Sequence, residues 1–515
     1  MKNLPISMQS LSKIYENNAI YVDKTPLIHQ FISVSGAYFL SRPRRFGKSL
    51  LVSTLKELFE GNKILFKDLW IEDNWDWSQK NPVIHISFAS LDYQGLGLTQ
   101  AIIQELEKQA TLHGFSLKGK TIKSCFKELL NLLYQKKGKV VLLIDEYDKP
   151  IIEYLEDNYI KQAKLNQKVL KIFYSVLKDA EPILRLIFIT GVSKFAKVSI
   201  FSDLNHLHDL TLDIKYSTLT GYTQTELEYY FKDYLHIIKN DLNILHEQLI
   251  EQMRIWYNGF SWDGVNLVYN PFGTLTFLQQ KVFRNYWFSS ATPTFLLEQM
   301  KKQGQFVMEN SKVDASFLEK SDLDNIDVVQ LLFQTGYLTV RKLDVMTGDM
   351  VLDYPNKEVR DSMYRFLLRQ LARGSRRANS GITMDDLQDA FETRNLARVK
   401  TIINTFLADL PSEVFKIKSE GIYHGMIHIV FKYLGTYIQS EVHSSFGRAD
   451  AVVQTDTDVF IFEFKFNETA AIALQQILTN RYAEKYRASG KRITGIGVNF
   501  NEQQRTIEDW QSDLI

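Results

Sequence analysis

Five consecutive aliphatic residues, Val140-Val141-Leu142-Leu143-Ile144, run straight into Asp145 and Glu146. A strand with one wet face alternates apolar and polar side chains; this run does not, so it reads as buried on both faces. Similar runs occur at 37–41 (AYFLS), 83–88 (VIHISF) and 184–190 (LRLIFIT), with a weaker one at 210–214 (LTLDI). Helical stretches at about 99–111, 121–136 and 160–179 separate them. Strands alternating with helices predict a mostly parallel sheet covered on both faces. This α/β pattern is assigned to residues 1–218.

The rest of the chain differs. At 515 residues it is long enough for roughly two to four domains. Thr223 and Glu226 form a candidate capping box, opening a helical lid at 219–290. Residues 291–415 read as a mainly helical connecting region with a small β piece near 335–353. Residues 416–515 read as a second α/β unit, with a helix near 421–435, strands, a helix near 468–486 and a strand near 493–499. The net charge is +1, so any nucleic-acid contact must come from a local basic patch such as 373–377 (RGSRR). Cys125 is the only cysteine, which excludes an internal disulfide and a cysteine-built zinc site. No apolar run approaches the roughly 20 residues of a membrane helix, and the N-terminus lacks a secretory h-region. A cytoplasmic protein without a membrane segment is expected.

Gly47-Lys48-Ser49 stands where the first strand gives way to a helix. Glycine lets backbone N–H groups approach a phosphate, and the helix N-terminus adds its dipole. Lys48 can reach β- and γ-phosphates, and the Ser49 hydroxyl can hold Mg²⁺. The general P-loop pattern places a glycine where this chain has Arg42. The apolar strand ending in Asp145 and Glu146 supplies the complement: Asp145 for Mg²⁺, Glu146 to polarise the attacking water. Thr190, at the tip of the run 184–190, is a candidate sensor of the γ-phosphate. A threonine bonded to backbone is the competing reading.

The second constellation lies in 447–466, GRADAVVQTDTDVFIFEFKF. A hairpin with its loop at 455–458 pairs Gln454 with Val459 and so sets Asp450 opposite Glu463. Glu463 and Lys465, two apart, share that face, and Phe462 and Phe464 take the other. Two facing carboxylates repel, and a divalent cation held by hard oxygen ligands is one remedy. Lys465 would steady a phosphate or a water beside it. The bland alternative is a solvated face with a cross-strand ion pair. Glu420, at the start of the upstream helix, is a third potential ligand. Gln476 and Tyr482 lie on the helix that follows. His424 and His428 are four apart on a helix, with His443 further on, but no third zinc ligand stands at a recognised spacing.

The stretches YVDKTPLIHQFI, YFLSRPRRFGKSLLVSTLKELFEG, VVLLIDEYDKPI, FITGVSKF, NGFSWDGVNLVYNPF and GRADAVVQTDTDVFIFEFKF occur in this order along nearly the whole chain. Together they resemble bacterial AAA-ATPase-like proteins that end in a PD-(D/E)XK nuclease-superfamily domain. The resemblance implies a RecA/AAA-like P-loop core with a helical lid, then a restriction-endonuclease-like fold. It implies ATP and Mg²⁺ as cofactors, and nucleic acid as partner, with DNA favoured over RNA. Arg42, Arg44 and Arg45 become candidate extra phosphate contacts. Glu420, Asp450, Glu463 and Lys465 match the superfamily's acidic and E-x-K positions, and Gln476 and Tyr482 match accessory positions of some branches. Ala449 stands where many members have proline. The resemblance leaves a homo-oligomer open. The alternative reading is a signalling or scaffold ATPase whose C-terminal fold binds nucleic acid or protein without cutting it.

Overall fold

The computed structural model describes residues 1–288 apart from 157, 195–199, 202–203 and 205; residues 296, 299–300 and 303; 308–372 apart from 315–316, 318–322 and 324–325; 384–408; 438–501 apart from 445–446 and 467; and 506–515. Contacts divide the chain into two compact units, 1–296 with 308–360, and 297–307 with 361–515. The described parts of the expected connecting region 291–415 therefore fall in both units.

The first unit is built on β1 (Gly36–Ser41), β2 (Val83–Ser87), β3 (Val140–Asp145), β4 (Leu184–Gly191) and β5 (Leu207–Asp209). Their order is β2-β3-β4-β1-β5, and every pair is parallel. All six residues of β3 are buried, as its unbroken apolar run requires. Helices α1 (Lys48–Phe59), α2 (Leu98–Leu112), α3 (Ile122–Lys137) and α4 (Ile160–Tyr174) lie near the expected positions. The run at 210–214 is not a strand; pairing stops at Asp209. There Asp209 Oδ1 accepts from Thr211 N at 2.9 Å, a turn that carries the chain out of the ladder.

The region expected to form a lid contains α5 (Gln224–Tyr230), α6 (Lys232–Asp241), α7 (His246–Tyr257) and α8 (Pro271–Gln280). The capping box is formed, with Thr223 accepting from Glu226 N and Glu226 from Thr223 N. The lid core also takes in Ile20 and Val22 from the start of the chain. A three-stranded antiparallel sheet follows, β6 (Ser311–Val313), β7 (Thr339–Leu343) and β8 (Met350–Asp353), in the order β6-β8-β7.

The second unit contains α9 (Met384–Glu392), α10 (Leu396–Ala408), β9 (Ile438–Ser444), β10 (Gly447–Gln454), β11 (Asp458–Phe466), α11 (Ala470–Thr479), β12 (Arg492–Asn501) and β13 (Thr506–Leu514). The sheet order is β13-β12-β11-β10-β9, with β11 and β12 parallel and the other pairs antiparallel. Phe460, Phe462 and Phe464 pack on Leu387, Phe391 and Ile402 of α9 and α10. Val459 and Ile461 face the other way, against Ile477 of α11 and Tyr482. The sheet is thus covered on both sides, and the β11 face that carries Glu463 is the α11 side. Gly495 and Gly497 of β12 let α11 settle there. A Cβ on Gly497, which pairs with Glu463, would stand 2.1 Å from Ala470 O and 2.6 Å from Leu474 N.

Candidate functional site

In the first unit, the loop 42–47 leaves the C-terminal end of β1 and enters α1. Gly47 caps the helix with φ 83°, a left-handed conformation that glycine adopts without strain. Lys48 follows and is buried. Its Nζ donates to Arg42 O at 2.9 Å and Pro43 O at 2.8 Å, so the side chain folds back over its own loop. Burial depresses the Lys48 pKa, while Asp145, Asp148 and Glu146 hold it up. Lys48, Ser49, Glu146 and Asp148 line one cavity of about 550 Å³, together with Arg44 and Arg45. Asp145 is buried at the tip of β3, where its Oδ1 accepts from Glu146 N at 2.9 Å. Glu146 has φ 52° and lies 3.7 Å from Lys149 Nζ.

Two expected nucleotide contacts are placed otherwise. Arg42 is 0 % exposed, and its guanidinium donates to Ser41 O, Thr211 O and Tyr216 O under the Trp262 ring. It ties the loop to the sheet rather than facing a phosphate, and burial lowers its pKa to about 9. Thr190 is also 0 % exposed; its hydroxyl donates to Leu40 O at 2.8 Å, across the β1–β4 ladder. The backbone-bonded reading of Thr190 is the one realised. In its place Asp148 connects cavity and sheet. Its carboxylate accepts from Val192 N at 3.1 Å, Ser193 N at 2.6 Å and Ser193 Oγ at 2.8 Å.

The far wall of the cavity was not legible in the sequence. It comes from Met8, Ile20 and Val22 near the N-terminus and from Tyr222, Phe272 and Leu275 of the lid. These are apolar residues in ordinary core patterns, with no phosphate-binding signature. Lys24 joins the two segments, donating to Glu226 Oε1 at 2.7 Å and Thr218 O at 2.8 Å.

In the second unit the predicted register holds: Gln454 pairs with Val459 and Ala451 with Phe462. One step further, at Asp450 and Glu463, a side chain takes over from the ladder. Asp450 Oδ2 accepts from Phe464 N at 2.9 Å. Lys465 pairs with Asn499 and, by alternation, shares the face of Glu463. Glu463 is 3 % exposed. Its Oε1 accepts a short hydrogen bond from Gln476 Nε2 of α11, whereas its Oε2 is buried with no hydrogen-bond partner. Burial first, then the charge of Asp450, pushes the Glu463 pKa up to about 8, against the pull of Lys465, the Asp450 backbone N–H and Gln476. A buried carboxylate oxygen left unpaired beside a second carboxylate is what a hard cation would satisfy. Tyr482 is brought to the same side of the sheet but sits in the core, its hydroxyl accepting from Asn480 Nδ2 at 2.9 Å. Glu420, His424 and His428 lie outside the described residues, as does the basic stretch 373–377. Among the described residues no group of three His, Cys, Asp or Glu side chains stands together as a metal cluster. No helix among them is long and apolar enough to cross a membrane.

Comparison with known proteins matches these two units to two families. Residues 5–201 match the model of a predicted AAA-ATPase, and residues 418–510 that of the PD-(D/E)XK nuclease superfamily. Over 522 aligned positions the chain is 37% identical to an uncharacterized protein in the vnfD 5' region of Azotobacter chroococcum mcd 1, covering 98% of each. A parallel sheet with its P-loop, a mixed sheet carrying D…E-x-K, and these matches agree: the chain belongs to the family of predicted AAA-ATPases that end in a PD-(D/E)XK nuclease-superfamily domain.

Proposed function

We propose that the first unit binds and hydrolyses ATP and that the second cleaves nucleic-acid phosphodiesters with Mg²⁺, DNA in preference to RNA. Convergence of Lys48, Ser49, Glu146 and Asp148 on one cavity supports the first half. Lys48 hands its two carbonyl bonds over to the β/γ-phosphates. Ser49 and Asp145 would hold Mg²⁺. Glu146 accepts a hydrogen bond from the attacking water and orients it. The apolar wall of Ile20, Val22 and Tyr222 accommodates the base.

The unpartnered Oε2 of Glu463 carries the second half. Asp450 and Glu463 would hold Mg²⁺, and Gln476 fixes the Glu463 carboxylate. A bound Mg²⁺ polarises the phosphate and lowers the pKa of a water. Lys465 donates to the phosphate and offsets the charge that develops on it. A cytoplasmic setting suits the single free thiol, Cys125.

A cleavage assay on mixed DNA and RNA substrates tests this, with Mg²⁺ or with EDTA. Wild type should cut only with Mg²⁺. Asp450→Ala and Glu463→Ala should each abolish cutting and leave ATP turnover measurable, since the ATPase residues belong to the other unit. Cutting by both variants would sink the nuclease assignment. Nucleic-acid binding without any cleavage by wild type would move the second unit to a binding role.

A further inference from the structure

The loop 42–47 is held tightly at most of its length. Arg42 is buried against carbonyls. Phe46 packs edge-on against Phe260 and Trp262, with ring centroids 4.8 and 5.6 Å apart. Arg44 O accepts from Trp287 Nε1 at 2.9 Å. Arg45 stands out. It is exposed, its backbone is left-handed at φ 63°, and its guanidinium carbon lies 3.8 Å above the centre of the Phe272 ring. Phe272 is the second residue of α8, a lid helix capped by Asn270. Both residues line the same cavity as Lys48 and Ser49.

The two partners open to Arg45 differ in strength. A cation over a phenyl ring at an exposed site gains little, whereas a guanidinium paired with a phosphate makes charge-assisted, often bidentate hydrogen bonds. Lys48 and the N–H groups at the start of α1 serve the β/γ-phosphates, and Arg45, exposed on the same cavity, is a further cation that the charge of the terminal phosphate can draw on. We propose that Phe272 holds Arg45 aside when no terminal phosphate is present, and that ATP, but not ADP, draws it off the ring. Phe272 is then a positioning residue that sets the preference for ATP over ADP, and it frees the start of α8 when ATP binds. This rests on the ATP-binding reading of the cavity.

Titration calorimetry on the full chain tests it, with ADP and with a non-hydrolysable ATP analogue. Phe272→Leu removes the ring and keeps apolar bulk. It should tighten the ATP analogue relative to ADP by about two- to fivefold, the factor a weak cation–π contact represents. Phe272→Tyr keeps the ring and should behave as wild type. Arg45→Gln should reduce the preference for the ATP analogue over ADP by about tenfold, the scale of one lost charge-assisted bond. In the double variant Phe272→Leu should have no further effect. Should Phe272→Leu misfold by circular dichroism, Phe272→Met serves as the ring-free variant. The proposal is overturned if the ring-free variant shifts both nucleotides equally or neither, or if its effect survives in the Arg45→Gln background. Failure of wild type to bind either nucleotide would instead strike the ATP reading underneath it.

Discussion

The two sites keep their decisive charges in opposite states. Lys48 is buried but satisfied, with two carbonyl acceptors at 2.8 and 2.9 Å and three acids nearby. Glu463 is buried with one oxygen unpartnered, and burial first, then a second carboxylate, pushes its pKa up to about 8. On the proposed reading, a phosphate at the first site would have to displace internal hydrogen bonds, so binding there would be an exchange. A cation at the second would remove a standing penalty, so binding there would be relief.

The largest expected effect tests the first half of that contrast. Lys48→Ala should weaken ATP binding by about a hundredfold or more, since the cation facing the phosphates is gone. It should also cost about 1–2 kcal/mol of stability, because two loop carbonyls lose their donor. Glu463→Ala should be neutral or stabilising in EDTA. Calorimetry and thermal melts read both, and the contrast breaks if the two variants shift stability in the same direction. Next comes Gly497→Ala. Its methyl would collide with Ala470 O and Leu474 N, lift α11 and pull Gln476 off Glu463. A loss of about 1–3 kcal/mol in denaturant melts is expected; no loss would mean α11 does not hold the acid. Glu146→Gln should bind ATP with little change and hydrolyse it about tenfold more slowly, measured at steady state. Wild-type turnover would shift the water-orienting role to another acid, with Asp148 the nearest candidate.

The remaining prediction concerns pH. The folded-state pKa of Glu463, about 8, lies above its ordinary value of 4.5, so folding favours the protonated form. The stability this contributes is fully present below pH 4.5 and is lost as pH rises through about 8. Glu358 acts in the same direction: it is fully buried, accepts from Trp287 N at 2.5 Å, and burial raises its pKa to about 8. The melting temperature in EDTA should therefore fall across this window. Glu463→Gln and Glu358→Gln should each remove part of the slope. Mg²⁺ should flatten the slope in wild type and in Glu358→Gln, but not in Glu463→Gln. An equal response to Mg²⁺ in all three would place the cation elsewhere.

Where a residue's role follows from backbone geometry alone, the sequence was enough. An apolar run without alternation dictated the buried β3, and its end delivers Asp145 and Glu146 to the edge of the sheet. Two-residue periodicity and a short hairpin loop put Glu463 and Lys465 on one face, opposite Asp450. The capping box at Thr223 and Glu226 obeyed its four-residue rule. None of these depends on distant parts of the chain, because dihedral preferences and hydrogen-bond spacing act over a few residues.

Tertiary structure decided the rest. Nothing near Arg42 in sequence says that Thr211, Tyr216 and Trp262 will capture its guanidinium, or that Leu40 O will take the Thr190 hydroxyl. The apolar wall of the cavity joins residues near position 20 to residues near 222 and 272, a pairing no local pattern encodes. Gln476 reaches Glu463 while Tyr482 turns into the core, though both lie on the same side of the sheet. Local chemistry settles which groups a strand or helix presents. Which of them meets a ligand, and which is spent on a neighbour, is set by packing between segments far apart in the chain, where an unpaired buried polar group costs more than a single ligand contact returns.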